Sequence, residues 1–248
     1  MNEYLETPEA VVFDLGDTIF HTEEYDRTAG IRALLEHVVD DRGMSVEKIA
    51  RRSEEIDNRL EKSCAAEHIE YRQRDFHRLL YGSFGLSFTI PEEEAERLYW
   101  KSSLTLALEP GVEEALATLE ARNIRRAVIS NAVYGSTVLR GELDRLGVAK
   151  HFEFVMCCAD YGVRKPDPLL FEVARVRLGL KKSKCWYVGN LVEADMGGAK
   201  RAGWQPVWYA ADAVRRGTYE KRLGELPEGT PVVADWDDFS SLIRNLGK

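Results

Sequence analysis

The chain has 248 residues, enough to bury a sizeable core, and its 44% hydrophobic and 31% charged content is ordinary for a soluble globular protein. A formal net charge of −8 argues against a nucleic-acid partner, which would require clustered Lys and Arg, and no apolar run reaches the roughly 18 residues needed to cross a bilayer. Met1 to Ala10 holds three glutamates and no basic residue, which argues against a secretory or mitochondrial leader. Cys64, Cys157, Cys158 and Cys185 lack C-x-x-C or Cys/His ligand spacing, so they read as buried, reduced thiols of a cytoplasmic protein.

In chain order, Ala10 to Asp14 is a short apolar run ending on a carboxylate, the pattern of a strand buried on both faces. A strongly charged stretch with helical periodicity follows, predicting helices over Thr22–Val39, Val46–Glu67, Arg74–Phe84 and Pro91–Leu106. From Gly111 onward strands and helices alternate. The helices are Gly111–Arg122, Leu139–Leu146, Pro168–Leu178 and Asp195–Ala202, each closing on a Gly or Asn that supplies the left-handed residue past a helix end. The strands are Arg126–Ser130, Phe154–Cys158, Cys185–Asn190 and Pro206–Tyr209. This alternation predicts a doubly wound parallel α/β sheet. The charged stretch is far longer than an ordinary βα connection and reads as a helical subdomain inserted after the first strand. The expected division is an α/β core of residues 1–20 and 109–248 with an inserted helical cap of residues 21–108.

In an open parallel sheet, ligands bind beyond the carboxyl ends of the strands. Asp14, Ser130 and Asn190 end three of these runs, and Lys165 and Asp195 lie in adjoining loops. Together they make a plausible phosphoryl-transfer set. One carboxylate attacks, a hydroxyl holds a phosphate oxygen, an ammonium neutralises charge, and two carboxylates share a hard cation such as Mg²⁺.

Four segments carry a family resemblance. Val11-Val-Phe-Asp-Leu-Gly-Asp-Thr18, Val128-Ile-Ser-Asn131, Arg164-Lys-Pro-Asp-Pro168 and the segment from Val188 to Gly203 resemble, in order, the four motifs of the haloacid dehalogenase superfamily. The inserted segment sits where that family carries its C1-type helical cap. The resemblance implies that Asp14 attacks phosphorus and forms an aspartyl-phosphate. It implies that Ser130 and the backbone amide of Asn131 bind phosphate and that Lys165 holds Asp14 and the phosphate in place. Asp14, Asp195, Asn190 and the carbonyl of Gly16 are the implied Mg²⁺ ligands.

Two positions depart from the family pattern. Gly16 stands where phosphatases carry a second aspartate as general acid and base; the aspartate comes one residue later, as Asp17. Asn190 replaces the usual aspartate of the fourth motif, with Glu193 nearby as a replacement charge. His21 is close enough in sequence to line the site. In the inserted segment, Arg72, Arg74, His77, Arg78 and Tyr81 read either as an anion-contacting group or as a solvated face, and Tyr99 and Trp100 as gate or packing.

The expected function is a magnesium-dependent phosphatase of a small phosphorylated metabolite, with neither nucleic acid nor membrane as partner. Two alternatives accompany it. Gly16 keeps carbon–halogen or carbon–phosphorus cleavage open, the latter with Lys62 or Lys101 as the cap lysine. Gly16 and Asn190 together also fit a catalytically weak phosphate-binding protein.

Overall fold

A computed structural model of the chain describes residues 5–247, so the first four residues of the acidic opening segment lie outside the described residues. The strands are β1 (Ala10–Phe13), β2 (Phe20–Tyr25), β3 (Leu104–Leu108), β4 (Arg125–Ser130), β5 (Val155–Cys157), β6 (Cys185–Gly189), β7 (Gln205–Tyr209) and β8 (Val232–Val233). Six of them form one parallel sheet in the order β5-β4-β1-β6-β7-β8.

β1 is central, and all four of its residues are buried. Val11 and Phe13 feed the core on one face, while Ala10 and Val12 feed the core on the other. A strand covered on both faces needs no polar alternation, and none is present.

Between β2 and β3 lie helices α1 (Arg27–Leu35), α2 (Val46–Glu67), α3 (Gln73–Gly82) and α4 (Glu92–Ser103), which enclose an apolar core of their own. This is the helical cap. The remaining helices are α5 (Val112–Ala121), α6 (Ser136–Arg145), α7 (Cys158–Tyr161), α8 (Leu169–Leu178), α9 (Gly198–Ala202), α10 (Ala211–Arg215), α11 (Tyr219–Leu223) and α12 (Trp236–Asn245). None is long and apolar enough to cross a membrane.

The cap differs from the sequence expectation at both of its ends. The helix expected over Thr22–Val39 is a strand to Tyr25 and then α1, whose N-terminus is capped by Asp26 accepting from the amides of Thr28 and Ala29. The helix expected over Pro91–Leu106 stops at Ser103, and Leu104–Leu108 pairs antiparallel with β2. Each of these two segments is ambiguous by itself. Their pairing across some 80 residues makes them a ribbon, and helical periodicity does not report a partner at that distance. The region after Tyr209 also folds, as α10, α11, β8 and α12. Trp236 of α12 packs on Tyr209 and Phe13 and donates its indole N–H to the Thr18 carbonyl at 3.0 Å.

The cap rests directly on the core. Ile69 bridges Val163 in antiparallel fashion, with the Glu70 amide donating to Gly162 O and the Arg164 amide to His68 O. The Gln73 amide donates to Val133 O at 2.7 Å, and the Arg72 guanidinium donates to the carbonyls of Ala159 and Asp160. Arg74 and Arg78 turn elsewhere, pairing with Glu93 and with Glu92 and Asp75, so this basic cluster is neutralised within the cap.

Inside the cap, burial pushes His77 down to about 3. The folded state therefore refuses a proton that the unfolded chain takes up below about pH 6.5. Stability attributable to this residue is full above pH 6.5 and falls as pH drops towards 3, by about 1.4 kcal/mol per unit. Urea unfolding of the protein and of His77→Phe between pH 7 and 4.5 should show a shallower acid loss for the variant; parallel losses would contradict this burial effect.

Candidate active site

Asp14 follows β1 directly, and its amide donates to Val188 O at 2.9 Å, which fixes it at the carboxyl edge of the sheet. It opens onto a cleft of about 260 Å³ lined also by Gly16, Asp17, Ser130, Asn131, Lys165 and Asn190. Five loops thus converge on one point, as the sheet topology requires. Trp100 of α4 and Phe20 of β2 complete the wall from the cap side. Trp100 is held by an indole bond to Glu142 at 3.2 Å and by edge-on packing against Tyr134.

Lys165 is the centre of the electrostatics. Its ammonium, almost fully buried, donates at 2.7 Å to Asp14 Oδ1, at 2.7 Å to Asp195 Oδ1 and at 2.6 Å to the Tyr187 hydroxyl. An ammonium has three donors, and all three are used. The Tyr187 hydroxyl passes its own proton to Ile129 O at 2.6 Å. Burial alone would lower the lysine, but the two carboxylates override it and hold it well above its ordinary range.

Asp14 is raised to about 6. Burial is the main cause and Asp195 adds to it, while Lys165 pulls the other way. Two buried carboxylates facing one ammonium leave an excess of negative charge.

The backbone of Lys165 is pinned by a reciprocal amide pair. Its N–H donates to Asn131 Oδ1 at 2.8 Å, and Asn131 Nδ2 donates to its carbonyl at 2.9 Å. The Asn131 side chain thus positions Lys165, a role that the sequence reading, which used only its backbone amide, missed. Tyr187 was missed as well. A tyrosine in the middle of the buried run Cys185–Gly189 signals a hydroxyl that needs an internal partner.

Asp195 sits in a π-turn (Val192–Gly197), and its Oδ2 accepts from the Leu191 amide at 2.8 Å. A Cβ at Gly189 would lie 2.4 Å from that same oxygen, so only glycine lets the carboxylate approach β6.

Gly16 faces open space, with no atom within 4 Å of where a Cβ would stand. Asp17 adopts a left-handed φ of 53°, and its amide donates to Phe20 O at 2.7 Å. Its carboxylate lines the cleft 3.6 Å from Arg216, and it is raised by burial and by Asp212, against the pull of Arg216 and Arg215. The Asn190 amide oxygen receives a single long bond, 3.5 Å, from the Thr18 hydroxyl.

Several sequence candidates lie elsewhere. Glu193 pairs with Arg201 at 2.9 Å on the exposed surface and does not line the cleft. His21 lies 3.3 Å from Glu109, a buried carboxylate also held by Arg215 and Tyr209. Lys62 and Lys101 are exposed and outside the cleft lining, which removes the support for a cap-lysine mechanism.

Among the described residues, no three His, Cys, Asp or Glu side chains group to hold a metal. A cation here would meet two carboxylates, Asp14 and Asp195, with neutral oxygens from Asn190 and the Gly16 backbone completing the donor set. The hard all-oxygen character and the surplus negative charge both fit a small divalent cation, which often needs only one or two carboxylates.

The sequence pattern of the haloacid dehalogenase-like hydrolases matches residues 8–203, so the chain belongs to that family and is a hydrolase. It is 27% identical over 248 aligned positions to a glyceraldehyde 3-phosphate phosphatase of Methanopyrus kandleri, covering 96% of this chain and 98% of that one. It is 30% identical over 140 residues to a phosphoserine phosphatase of Thermus thermophilus, covering 56% of this chain and only 54% of the relative. A haloacetate dehalogenase H-2 of Moraxella is 26% identical, over 92% of this chain and 95% of its own. Relatives of near-full length thus carry two different chemistries.

Lys165→Met should leave two buried carboxylates uncompensated and cost about 3–5 kcal/mol of stability, as breaking a buried ion pair does. Adding Asp195→Asn should return part of that loss. Urea unfolding of the single and double variants checks it, and simple additivity of the two losses would refute the coupling.

Proposed function

We propose that the chain is a magnesium-dependent phosphatase of small phosphorylated metabolites that works through an aspartyl-phosphate on Asp14. The observation that carries this reading is the Asp14 carboxylate at the floor of the cleft, held by Lys165 beside the second carboxylate Asp195. A dehalogenation site has no need of a cation, and the surplus negative charge here favours one.

In this reading residues 1–20 and 109–248 act as the catalytic core and 21–108 as the cap that covers the cleft. Ser130 and the Asn131 amide bind the phosphoryl oxygens, and Lys165 keeps Asp14 ionised and oriented. An Asp14 oxygen bonds to phosphorus as the bond to the leaving oxygen breaks. Water then attacks phosphorus, releases phosphate and restores the carboxylate. Mg²⁺, held by Asp14, Asp195, Asn190 and the Gly16 carbonyl, supplies charge neutralisation for the phosphoryl group.

Asp17 is the proton donor to the leaving oxygen. Its support is a carboxylate that lines the cleft and is shifted upward, towards keeping its proton. The cleft volume suits a metabolite-sized ester. Four buried, free cysteines accord with a reducing compartment, and we place the protein in the cytoplasm.

Hydrolysis of an aryl phosphate should require Mg²⁺ and disappear in Asp14→Asn; unchanged turnover in that variant would sink the reading. Asp17→Asn should slow alkyl phosphates by about 10²- to 10⁴-fold while sparing aryl and acyl phosphates, whose leaving groups need no proton. Equal effects on both substrate types would remove Asp17 from the role.

One observation favours a second reading. Gly16 presents no carboxylate at the cleft, and the Moraxella relative is a dehalogenase over nearly its whole length. Halide release from haloacetate by metal-free protein, with no phosphate ester turned over, would establish it instead.

A further inference from the structure

A second cavity, of about 300 Å³, lies wholly within the cap between α3, the segment from Leu86 to Ile90 and the start of α4. It shares no lining residue with the Asp14 cleft. Its walls are mainly apolar, from Leu86, Phe88, Ile90 and Ala95, and two polar side chains join them, His77 and Tyr81. Both are nearly inaccessible, at 2% and 1% exposure. Yet His77 Nδ1 and the Tyr81 hydroxyl are buried without a hydrogen-bond partner.

The proton inventory identifies what is missing. Gln73 Nε2 can only donate, and it lies 2.8 Å from His77 Nε2, so that ring nitrogen accepts and the proton sits on Nδ1. Nδ1–H and the tyrosine O–H are therefore two donors, on side chains four residues apart on one helix face, with ring centroids 6.1 Å apart. Leaving such a donor unsatisfied costs about 1–3 kcal/mol, and buried polar groups are rarely left so. A carbonyl oxygen has two lone pairs and can take both donors.

The charges nearby select against an ion. Arg74 and Arg78 line the cavity but are already paired with Glu93, Glu92 and Asp75. His77 itself is uncharged at neutral pH, since burial pushes it down to about 3. A phosphate here would meet no free cation among these residues.

We propose that this cap cavity is a binding site, separate from the catalytic cleft, for a small uncharged molecule with a flat apolar body and one carbonyl oxygen. Aromatic amides and ketones are the class. Phe88 packs against Tyr81 with centroids 4.7 Å apart and offers a ring face for the body of the ligand, while His77 and Tyr81 take its oxygen. This site does not depend on which bond the catalytic cleft breaks.

Full-length protein labelled with ¹⁵N-histidine, titrated with benzamide, acetophenone and toluene, tests it. Either carbonyl probe should saturate at one site per chain and move the His77 Nδ1–H resonance, with toluene at least ten times weaker. Tyr81→Phe keeps the ring and loses only the hydroxyl. It should fold with unchanged or higher stability, because that hydroxyl has no partner to lose, and should weaken the carbonyl probes about 5-fold, the equivalent of one hydrogen bond. The proposal fails if neither carbonyl probe saturates up to its solubility limit, if toluene binds as tightly as acetophenone, or if Tyr81→Phe binds them unchanged.

Discussion

The site is organised around one buried ammonium. Lys165 satisfies its three donors on Asp14, Asp195 and Tyr187, and each partner comes from a different part of the fold. Taking such a group out of water is costly, and its Coulombic partners must be well placed to offset that cost. The placement is enforced through the backbone. Asn131 clamps the Lys165 peptide from the end of β4, and Leu191 orients Asp195 from the end of β6. Gly189 leaves the space that the second carboxylate needs.

This constraint explains features that would otherwise look unrelated. Tyr187 lies in an apolar strand because its hydroxyl relays between the ammonium and Ile129 O. The cap touches the same loop, since Ile69 bridges Val163 and the amide of Arg164, the residue before Lys165, donates to His68 O. Cap position and lysine position are therefore mechanically joined. Glu109, buried at the end of β3 with Arg215, Tyr209 and His21 around it, anchors the other junction between cap ribbon and core.

The first motif departs from the family pattern without disturbing this network. Gly16 opens onto empty space, and Asp17, held in a left-handed turn, reaches the cleft from one residue further on. The loss of charge at Asn190 is not made up by Glu193, which is engaged on the surface by Arg201. The site thus keeps its attacking group and its lysine and changes the groups around them, the positions at which relatives of different chemistry would be expected to diverge.

The sequence by itself determined the parallel core and its catalytic edge. Short apolar runs ending in Asp14, Ser130 and Asn190, with a Gly or Asn after each intervening helix, are local signals that burial on both sheet faces imposes on composition. It also determined α2, whose periodicity and Ser45 cap are contained within one segment. Tertiary structure alone decided what depends on distant partners. The β2–β3 ribbon exists because two ambiguous segments meet, and Tyr187 and the Asn131 side chain gain roles only once Lys165 is folded against them. Whether a charge faces a cleft, a neighbour or water is likewise set by packing. Glu193, His21 and the cap arginines carry the same side chains in either case, so their sequence positions could not reveal which neighbours they would find.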